Sequence, residues 1–352
     1  MQTLSKLGLA CAGLIALMAG PAHARIFEGT VGKSKVVVEI DEDGDHGRYF
    51  YNRTRLTIEL DQAHGDDGEV GLVSPVTGDD FGLDPDGDGM RGTMATADGR
   101  LLDVVLHPAA PLQNTEGFPD GLSDFEKYQL SGLVFEPQQQ VTQGGKRFRW
   151  YVEPVSGQRL FRLQSGYSQA AMDAVNRQLT GLQWQAVSNH LGCLGDDGHS
   201  GEDLSQVSTP WLGEHVVSYE SSTSWYCTGA AHPDFATVGH SFDMRTGHEL
   251  SLDEVVVPKG QDPQAIPKRD SREWYAYRDQ TLAPALIALL RRYHPQEMVA
   301  DEGCDYTDAS AWSYPDWLLT EKGLLLGASF AHVMAPCRDT PWAIIPWSEL
   351  AL

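Results

Sequence analysis

Short runs of hydrophobic residues, separated by polar turns, make up the first third of the chain. Runs rich in β-branched, aromatic and aliphatic residues occupy positions 35–40, 48–52, 56–60, 70–73 and 101–106. The intervening segments, such as 41–47 and 61–68, are rich in Gly and Asp, which tolerate the left-handed conformations that hairpin turns require. Since no helical period appears among them, residues 25–108 are predicted to form a small antiparallel β-domain.

The hydrophobic period becomes helical in the second half of the chain. Ala171, Val175, Leu179 and Leu182 predict an amphipathic helix over about 167–190, which Gly181 would end or kink. A second apolar face is made of Leu282, Ala285, Leu286, Leu289, Leu290 and Tyr293. Thr281 is predicted to cap this second helix, with Pro284 in its first turn, and Pro295 is predicted to stop it.

The remaining segments complete a four-part organisation. Residues 109–124 contain Pro and Gly without periodicity, which suits a linker, and strand patterns follow at 147–152 and 159–163. Further strand patterns lie at 216–219, 241–244, 323–326 and 343–345. Strands and helices mixed without βαβ alternation predict an α+β fold with helices packed on an antiparallel sheet. The predicted parts are a signal peptide at 1–24, a β-rich domain at 25–108, a linker with further strands at 109–166, and an α+β domain at 167–352.

The N-terminus has the three parts of a secretory signal peptide. Lys6 supplies positive charge, residues 7–19 are apolar, and Ala22-His23-Ala24 is a cleavage signal. The apolar run is short for a bilayer span, and no second run of about 18 apolar residues follows, so no membrane span is predicted. These features predict a periplasmic or secreted protein whose mature chain begins near Arg25.

The net charge restricts the classes of partner. The chain has 49 acidic and 26 basic residues, a net charge of −23; removing Lys6 with the signal peptide leaves 25 basic residues and a charge of −24. Nucleic acids and anionic lipid surfaces are bound through basic patches, so neither is an expected partner. A cationic partner would be attracted instead, although acidic charge also serves to keep exported proteins soluble.

Four cysteines follow the signal peptide: Cys193, Cys227, Cys304 and Cys337. An even number in an oxidising compartment predicts two disulfides, although four cysteines allow three pairings. Because the first two lie in one motif region and the last two in another, we expect the pairs Cys193–Cys227 and Cys304–Cys337. The alternative is a zinc site that combines the first pair with His190 and His232, whose spacing is irregular for a structural zinc module.

Motifs for catalysis are incomplete in this sequence. Residues 239–243 break the G-x-S-x-G pattern at its last position, and His248-Glu249 lacks the second histidine of H-E-x-x-H. No catalytic residue and no cofactor are therefore predicted.

Three aspartates in the β-rich domain resemble half of a calcium loop. Asp84, Asp86 and Asp88 alternate before a glycine, but Ala95 occupies the position of the bidentate acid that completes such a loop. The flanking residues have strand patterns. An acidic hairpin turn at 84–89 is therefore expected, with calcium binding as the alternative.

The second half of the chain resembles a known family. Two runs resemble stretches of the extracellular domain of RsiV-type, lysozyme-sensing anti-sigma factors. The first, Tyr226-Cys-Thr-Gly-Ala-Ala-His232-Pro, resembles its Y-x-G-G-A-H stretch. The second resembles its F-D-x-x-T-G-x-x-L-x-L-x-D stretch and reads His240-Ser-Phe-Asp243-Met-Arg-Thr-Gly247-His-Glu-Leu250-Ser-Leu252-Asp253. The same domain occurs in many exported bacterial proteins, some of them peptidoglycan deacetylases. The runs 317–326 and 345–350 are similar to its closing strands. Ala230 departs from the second glycine of the family motif, and Cys337 departs from a more usual aromatic residue.

This resemblance implies a protein that binds a basic, lysozyme-like muramidase, as an inhibitor, a sensor or an immunity protein; a cell-wall component is the other expected partner. The expected contact residues are Trp225, Tyr226, Gly229, His232 and Asp234. Aromatic side chains on a turn anchored by a disulfide suit a preorganised contact surface. Two alternatives stay open. Trp225 and Tyr226 could be core residues of a strand, and His232 with Asp234 or Asp243 could serve a cell-wall hydrolase or deacetylase.

Overall fold

The computed structural model describes residues 24–63, 69–113, 115–300 and 303–352. The predicted signal peptide, apart from Ala24, lies outside these described residues. Two compact units make up the described chain. The first contains residues 24–49 and 59–109, and the second contains residues 50–58 and 110–352.

Eight strands form a closed barrel, most of whose residues belong to the first unit. They are β1 (Arg25–Val31), β2 (Ser34–Ile40), β3 (His46–Tyr51), β4 (Ile58–Gln62), β5 (Val70–Val73), β6 (Asp80–Asp86), β7 (Gly89–Ala95) and β8 (Leu101–Pro108). Each strand neighbours the next in sequence, and β8 closes onto β1, with Phe27 opposite Pro108.

The antiparallel pairing predicted for this part of the chain is confirmed, but the strands close into an eight-stranded barrel, which the prediction of a small β-domain did not include. Side chains from strands far apart in the sequence, among them Phe27, Leu83 and Val104, are completely buried inside it. A closed sheet has no free edges, and its inward residues share one core. The pairing of β1 with β8 joins residues about 80 positions apart, and no local pattern reports such a contact.

The second unit contains ten further strands and six α-helices. The helices are α1 (Asp124–Leu130), α2 (Gln169–Gly192), α3 (Leu252–Val255), α4 (Arg272–Tyr277), α5 (Ala283–Tyr293) and α6 (Ser310–Ser313). The strands are β9 (Glu136–Gln143), β10 (Lys146–Val152), β11 (Arg159–Ser165), β12 (Glu202–Val207), β13 (Trp211–Leu212), β14 (Val216–Trp225), β15 (Asp234–Asp243), β16 (Asp316–Thr320), β17 (Gly323–Gly327) and β18 (Ile344–Pro346). Short 3₁₀ turns occupy Pro263–Ala265, His332–Arg338 and Trp347–Glu349.

Three antiparallel sheets organise these strands. The first has the order β11-β10-β9, the second pairs β14 with β12 and β13 on one edge and with β15 on the other, and the third has the order β16-β17-β18. Helix α2 buries Val175 and Leu179 in one core with Phe161 of β11 and Phe242 of β15. Helix α5 packs on the third sheet in another core, around the fully buried Trp312. The predicted mixture of helices and antiparallel sheets is confirmed.

The predicted cap of the second helix is wrong, whereas Pro284 lies in the first turn of α5, as predicted. Thr281 caps nothing, because the helical path begins at Arg272 of α4, where the Ser271 side chain accepts from the backbone N–H of Trp274. Between α4 and α5 lies one π-helical turn, Arg278–Leu282, in which the N–H of Ala283 donates to the carbonyl of Arg278. Such a turn accommodates Pro284, which has no N–H to give to the ladder. The helix ends at Tyr293, before Pro295, as predicted.

Candidate functional site

The loop predicted to contact a partner connects two paired strands. Trp225 is the last residue of β14 and lies opposite Asp234, the first residue of β15. The loop is fixed to the segment that follows α2, because the N–H of Tyr226 donates to the carbonyl of Gly201 over 2.7 Å and that of Thr228 to the carbonyl of Leu194 over 2.7 Å. Its base is therefore held at a defined place on the sheet.

Both predicted disulfides are present. Cys193 pairs with Cys227, with a Cα–Cα distance of 5.0 Å, and Cys304 pairs with Cys337 at 5.5 Å. The first bond ties the loop to the C-terminus of α2. It also leaves neither of its sulfurs as a thiolate for the alternative zinc site.

The loop residues lie at the surface. Trp225 is a strand residue but only half-buried, and Tyr226 keeps 38% of its surface in solvent, so neither belongs to the fully buried core. Gly229 has a φ of +84°, a conformation that suits glycine at a tight turn. His232 is exposed.

His232 and Asp234 meet the 3₁₀ segment His332–Arg338. The rings of His232 and His332 stack with centroids 5.0 Å apart, and Nδ1 of His332 lies 3.7 Å from Oδ1 of Asp234. His232 Nδ1 is within 2.9 Å of the Pro233 carbonyl oxygen. Asp243 is engaged elsewhere, with three hydrogen bonds from the Arg245 guanidinium to its Oδ1 and Oδ2. The pairing of His232 with Asp243 that a hydrolase would use is therefore not formed.

A groove of about 540 Å³ lies next to this segment. Its floor is one face of β14 and β15, where Glu220 lies opposite Gly239 and Thr237 lies farther along β15. The other face of the same strands carries Tyr219 and Phe242, which are buried in the core against α2. The groove walls come from β16, β17 and the segment that ends in Arg338, Asp339, Thr340 and Pro341.

Strand β16 is held close to the groove floor. Ser218 Oγ donates to the carbonyl of Leu319, and the N–H of Leu319 donates to Ser241 Oγ over 3.3 Å. Gly239 allows the closest approach, because a Cβ atom there would lie 1.9 Å from the carbonyl oxygen of Trp317. The small side chains of this sheet face therefore set the width of the groove.

Three carboxylates and one guanidinium line the groove: Glu220, Asp316, Asp339 and Arg338. Desolvation raises the pKa of Glu220, and the nearby Asp339 raises it further. Desolvation by the groove walls also raises the pKa of Asp316, although this residue keeps much of its surface in solvent; Arg338 opposes that shift and Glu220 adds to it. Each of these two carboxylates is therefore harder to ionise than usual, and a cation placed among them would favour the ionised form.

Arg338 is already engaged by its surroundings. Its Nε donates to the carbonyl of Phe330 over 2.9 Å, and its guanidinium lies 5.6 Å from the ring centre of Phe235. Phe235 of β15 remains 41% exposed at the groove, and Val238, whose side chain lies on the opposite face of the strand, remains 45% exposed. The groove thus combines negative charge with accessible apolar surface, which is the composition that suits a cationic protein segment.

Neither a protein-family model nor a curated protein matches this chain. The likeness to the RsiV-type domain therefore rests on the sequence motifs alone.

The three aspartates weighed as a calcium loop lie on the β6–β7 hairpin. Asp84 and Asp86 are in β6, the turn is Gly87 and Asp88, and Asp86 forms an ion pair with Arg91 at 3.0 Å. In residues 24–63, 69–113, 115–300 and 303–352, no three or more His, Cys, Asp or Glu side chains are grouped to hold a metal ion. Nor does the described chain contain a helix with the length and apolarity to cross a bilayer.

The groove residues were not predicted from the sequence. Glu220, Asp316 and Asp339 are separated by about a hundred residues or belong to different elements, so no spacing motif joins them. One signal was available in β14, where apolar Val217 and Tyr219 alternate with Ser218 and Glu220. This period of two marks a second, polar face of the strand, and that face is the groove floor.

Proposed function

We propose that this protein is a periplasmic or secreted binding protein that recognises a basic protein, such as a lysozyme-like muramidase. The proposed contact surface comprises the groove and the loop from Trp225 to Asp234. The role is that of an inhibitor, a sensor or an immunity protein, each of which requires the same recognition step.

The convergence of Glu220, Asp316 and Asp339 on one groove is the observation that carries this proposal. Arg338, which among the described residues is the only cation lining the groove, is already bonded to a backbone carbonyl and placed over an aromatic ring. A lysine or arginine side chain of a partner would find carboxylates whose ionisation its own charge favours. The overall charge of −23 would steer a cationic partner toward the protein.

The loop supports the proposal through its rigidity. The disulfide at Cys227 and the two backbone bonds to residues 194 and 201 hold exposed Tyr226 beside half-buried Trp225. Aromatic side chains that are ordered before binding lose little conformational entropy on association. The predicted signal peptide, both disulfides and the family resemblance agree with a partner met outside the cytoplasm.

Titration calorimetry of the mature protein against a c-type lysozyme tests the proposal. We expect binding that weakens as salt rises, and a loss of binding when the lysozyme lysines are succinylated, since this reverses their charge. Tyr226→Ala should weaken binding without loss of folding, because the side chain is exposed. A folded wild-type protein that gives no heat with native lysozyme would reject the proposal for this class of partner.

A further inference from the structure

Strand β15 has a free edge beside the groove. In the described part of the chain, β15 pairs along its whole length with β14, and no other strand is hydrogen-bonded to its outer side. At the N-terminal end of β15, the side chains of Asp234 and Phe235 contact the segment His332–Arg338. The backbone of the outer side is hydrogen-bonded at its C-terminal end. There the N–H of Asp243 donates to the carbonyl of His248 over 2.9 Å, and the N–H of Leu250 donates to the carbonyl of Ser241 over 2.7 Å.

These two bonds identify which backbone groups face outward. In an antiparallel strand the N–H and C=O of one residue point to the same edge, and successive residues alternate between edges. Since Ser241 and Asp243 face outward, so do Gly239, Thr237 and Phe235. The N–H of Phe235 is bonded to Oδ1 of Asp234, which leaves Thr237 and Gly239 with the outward donors and acceptors nearest the groove.

The edge lacks the features that normally prevent strand pairing. Proteins protect free edges with charged residues, prolines or bulges. Residues 235–239 are Phe, Ala, Thr, Val and Gly, and the register with β14 runs without a shift over ten residues. Phe235 and Val238 are also exposed on opposite faces of this edge, so a chain added there would find apolar contacts on both.

We propose that β15 recognises its partner by strand addition: an extended segment with basic residues at every second position pairs with Thr237 and Gly239. This inference rests on the proposed function and specifies how the partner is held. Alternate side chains of the added strand face the groove, where Glu220, Asp316 and Asp339 outnumber Arg338, and the others face Val238. Backbone pairing supplies affinity, and the charge of the groove selects lysine or arginine.

An octapeptide that alternates lysine and valine is the probe, titrated calorimetrically into the mature protein. We expect it to bind, and we expect the same peptide with every backbone nitrogen methylated to bind at least about tenfold more weakly, since it keeps its charges but cannot donate to the edge. Thr237→Pro should cause a similar loss, because it removes one outward N–H that the β14 ladder does not use. Thr237→Ala, which keeps that N–H, should lose less affinity than Thr237→Pro, and the difference between the two variants measures the contribution of the N–H.

The outcomes separate this inference from the proposed function. Equal binding of the methylated peptide, or of Thr237→Pro with circular dichroism unchanged, would overturn strand addition while lysozyme binding stands. Absence of binding by both lysozyme and peptide would overturn both. Analytical ultracentrifugation at the same concentrations measures the oligomeric state. A dimer that Thr237→Pro abolishes would mean that a second copy of the chain occupies the edge, and this result would also overturn the proposal.

Discussion

Glu220 lies directly opposite Gly239 in the β14–β15 ladder, and the missing side chain at Gly239 admits the backbone of Trp317. A charged residue of the groove floor thus lies across from a glycine at which β15 and β16 pack closely. The shape of the groove and its charge depend on the same few residues.

Gly239→Ala is expected to destabilise the protein. Its Cβ would lie 1.9 Å from the carbonyl oxygen of Trp317, and a backbone atom cannot give way as a flexible side chain can. Overpacking of this kind costs about 1–3 kcal/mol of the free energy of unfolding. Gly181→Ala, where nothing lies within 4 Å and the residue is inside α2, should instead stabilise by about 0.5–1 kcal/mol. Urea denaturation of both variants measures the difference, and equal stabilities would contradict it.

Cys193→Ser should lower the free energy of unfolding by about 2–4 kcal/mol, because the bond to Cys227 closes a loop across 34 positions. Peptide mapping without reduction establishes the pairing, and denaturation with and without reductant measures its contribution. Free thiols at Cys193 and Cys227 in the exported protein would refute the pairing.

Replacing Asp253, the buried partner of Arg278, should markedly lower the free energy of unfolding. Asp253 Oδ1 accepts from Arg278 Nη1 over 3.0 Å, its Oδ2 accepts from Trp274 Nε1 over 2.9 Å, and both charged side chains are almost fully buried. Asp253→Ala leaves a guanidinium buried without its counter-ion, which typically costs about 3–5 kcal/mol. The exposed pair of Asp86 with Arg91 supplies the control, since Asp86→Ala should cost less than about 1 kcal/mol. Urea denaturation measures both variants, and similar losses of unfolding free energy in the two would contradict this prediction.

As the pH is lowered, partner affinity should begin to fall at a higher pH than it would if the site contained a glutamate with an ordinary pKa. Burial, then Asp339, raises the pKa of Glu220, so its carboxylate is protonated at a higher pH than usual. A bound cation favours the ionised form, and binding therefore releases protons and weakens as pH falls through that raised pKa. The same shift means that Glu220 favours folding below its unfolded pKa and loses this contribution as pH rises through the folded pKa. Calorimetry in buffers of different ionisation enthalpy measures the protons released. Glu220→Gln should reduce their number, and an unchanged release would exclude Glu220 as the source.

Hydrophobic periodicity and short motifs correctly predicted those elements whose formation depends on residues close together in the sequence. The period of α2 and α5, the stop at Pro295 and the cysteine pairing agree with the structure, because each depends on neighbouring residues or on two motif regions. Helix α1 was missed although Ser123 and Glu126 form a capping box, each side chain bonding to the other residue's backbone N–H. No long apolar run with helical spacing follows that S-x-x-E pattern, so the sequence did not show the hydrophobic period that usually accompanies a capping box.

The barrel closure and the groove could not be predicted in this way. Both depend on contacts between residues far apart in the chain: β1 with β8, and Glu220 with Asp316 and Asp339. The loop around Trp225 was predicted as a contact surface because its aromatic, glycine and cysteine residues are contiguous, and that role stays a prediction. The acids of the groove are scattered over three elements, and only the polar face of β14 indicated where they would meet.

The most direct test of the account compares two charge-matched double variants in lysozyme binding. Glu220→Gln with Asp339→Asn removes two carboxylates from the groove, and Asp43→Asn with Asp88→Asn removes two exposed carboxylates from the barrel unit. Both change the net charge equally. At low salt we expect the groove variant to bind a c-type lysozyme at least about tenfold more weakly than the wild type, roughly 1.4 kcal/mol, while the barrel variant stays within about twofold. Equal affinities of the two variants, with folding intact, would contradict the groove as the binding site.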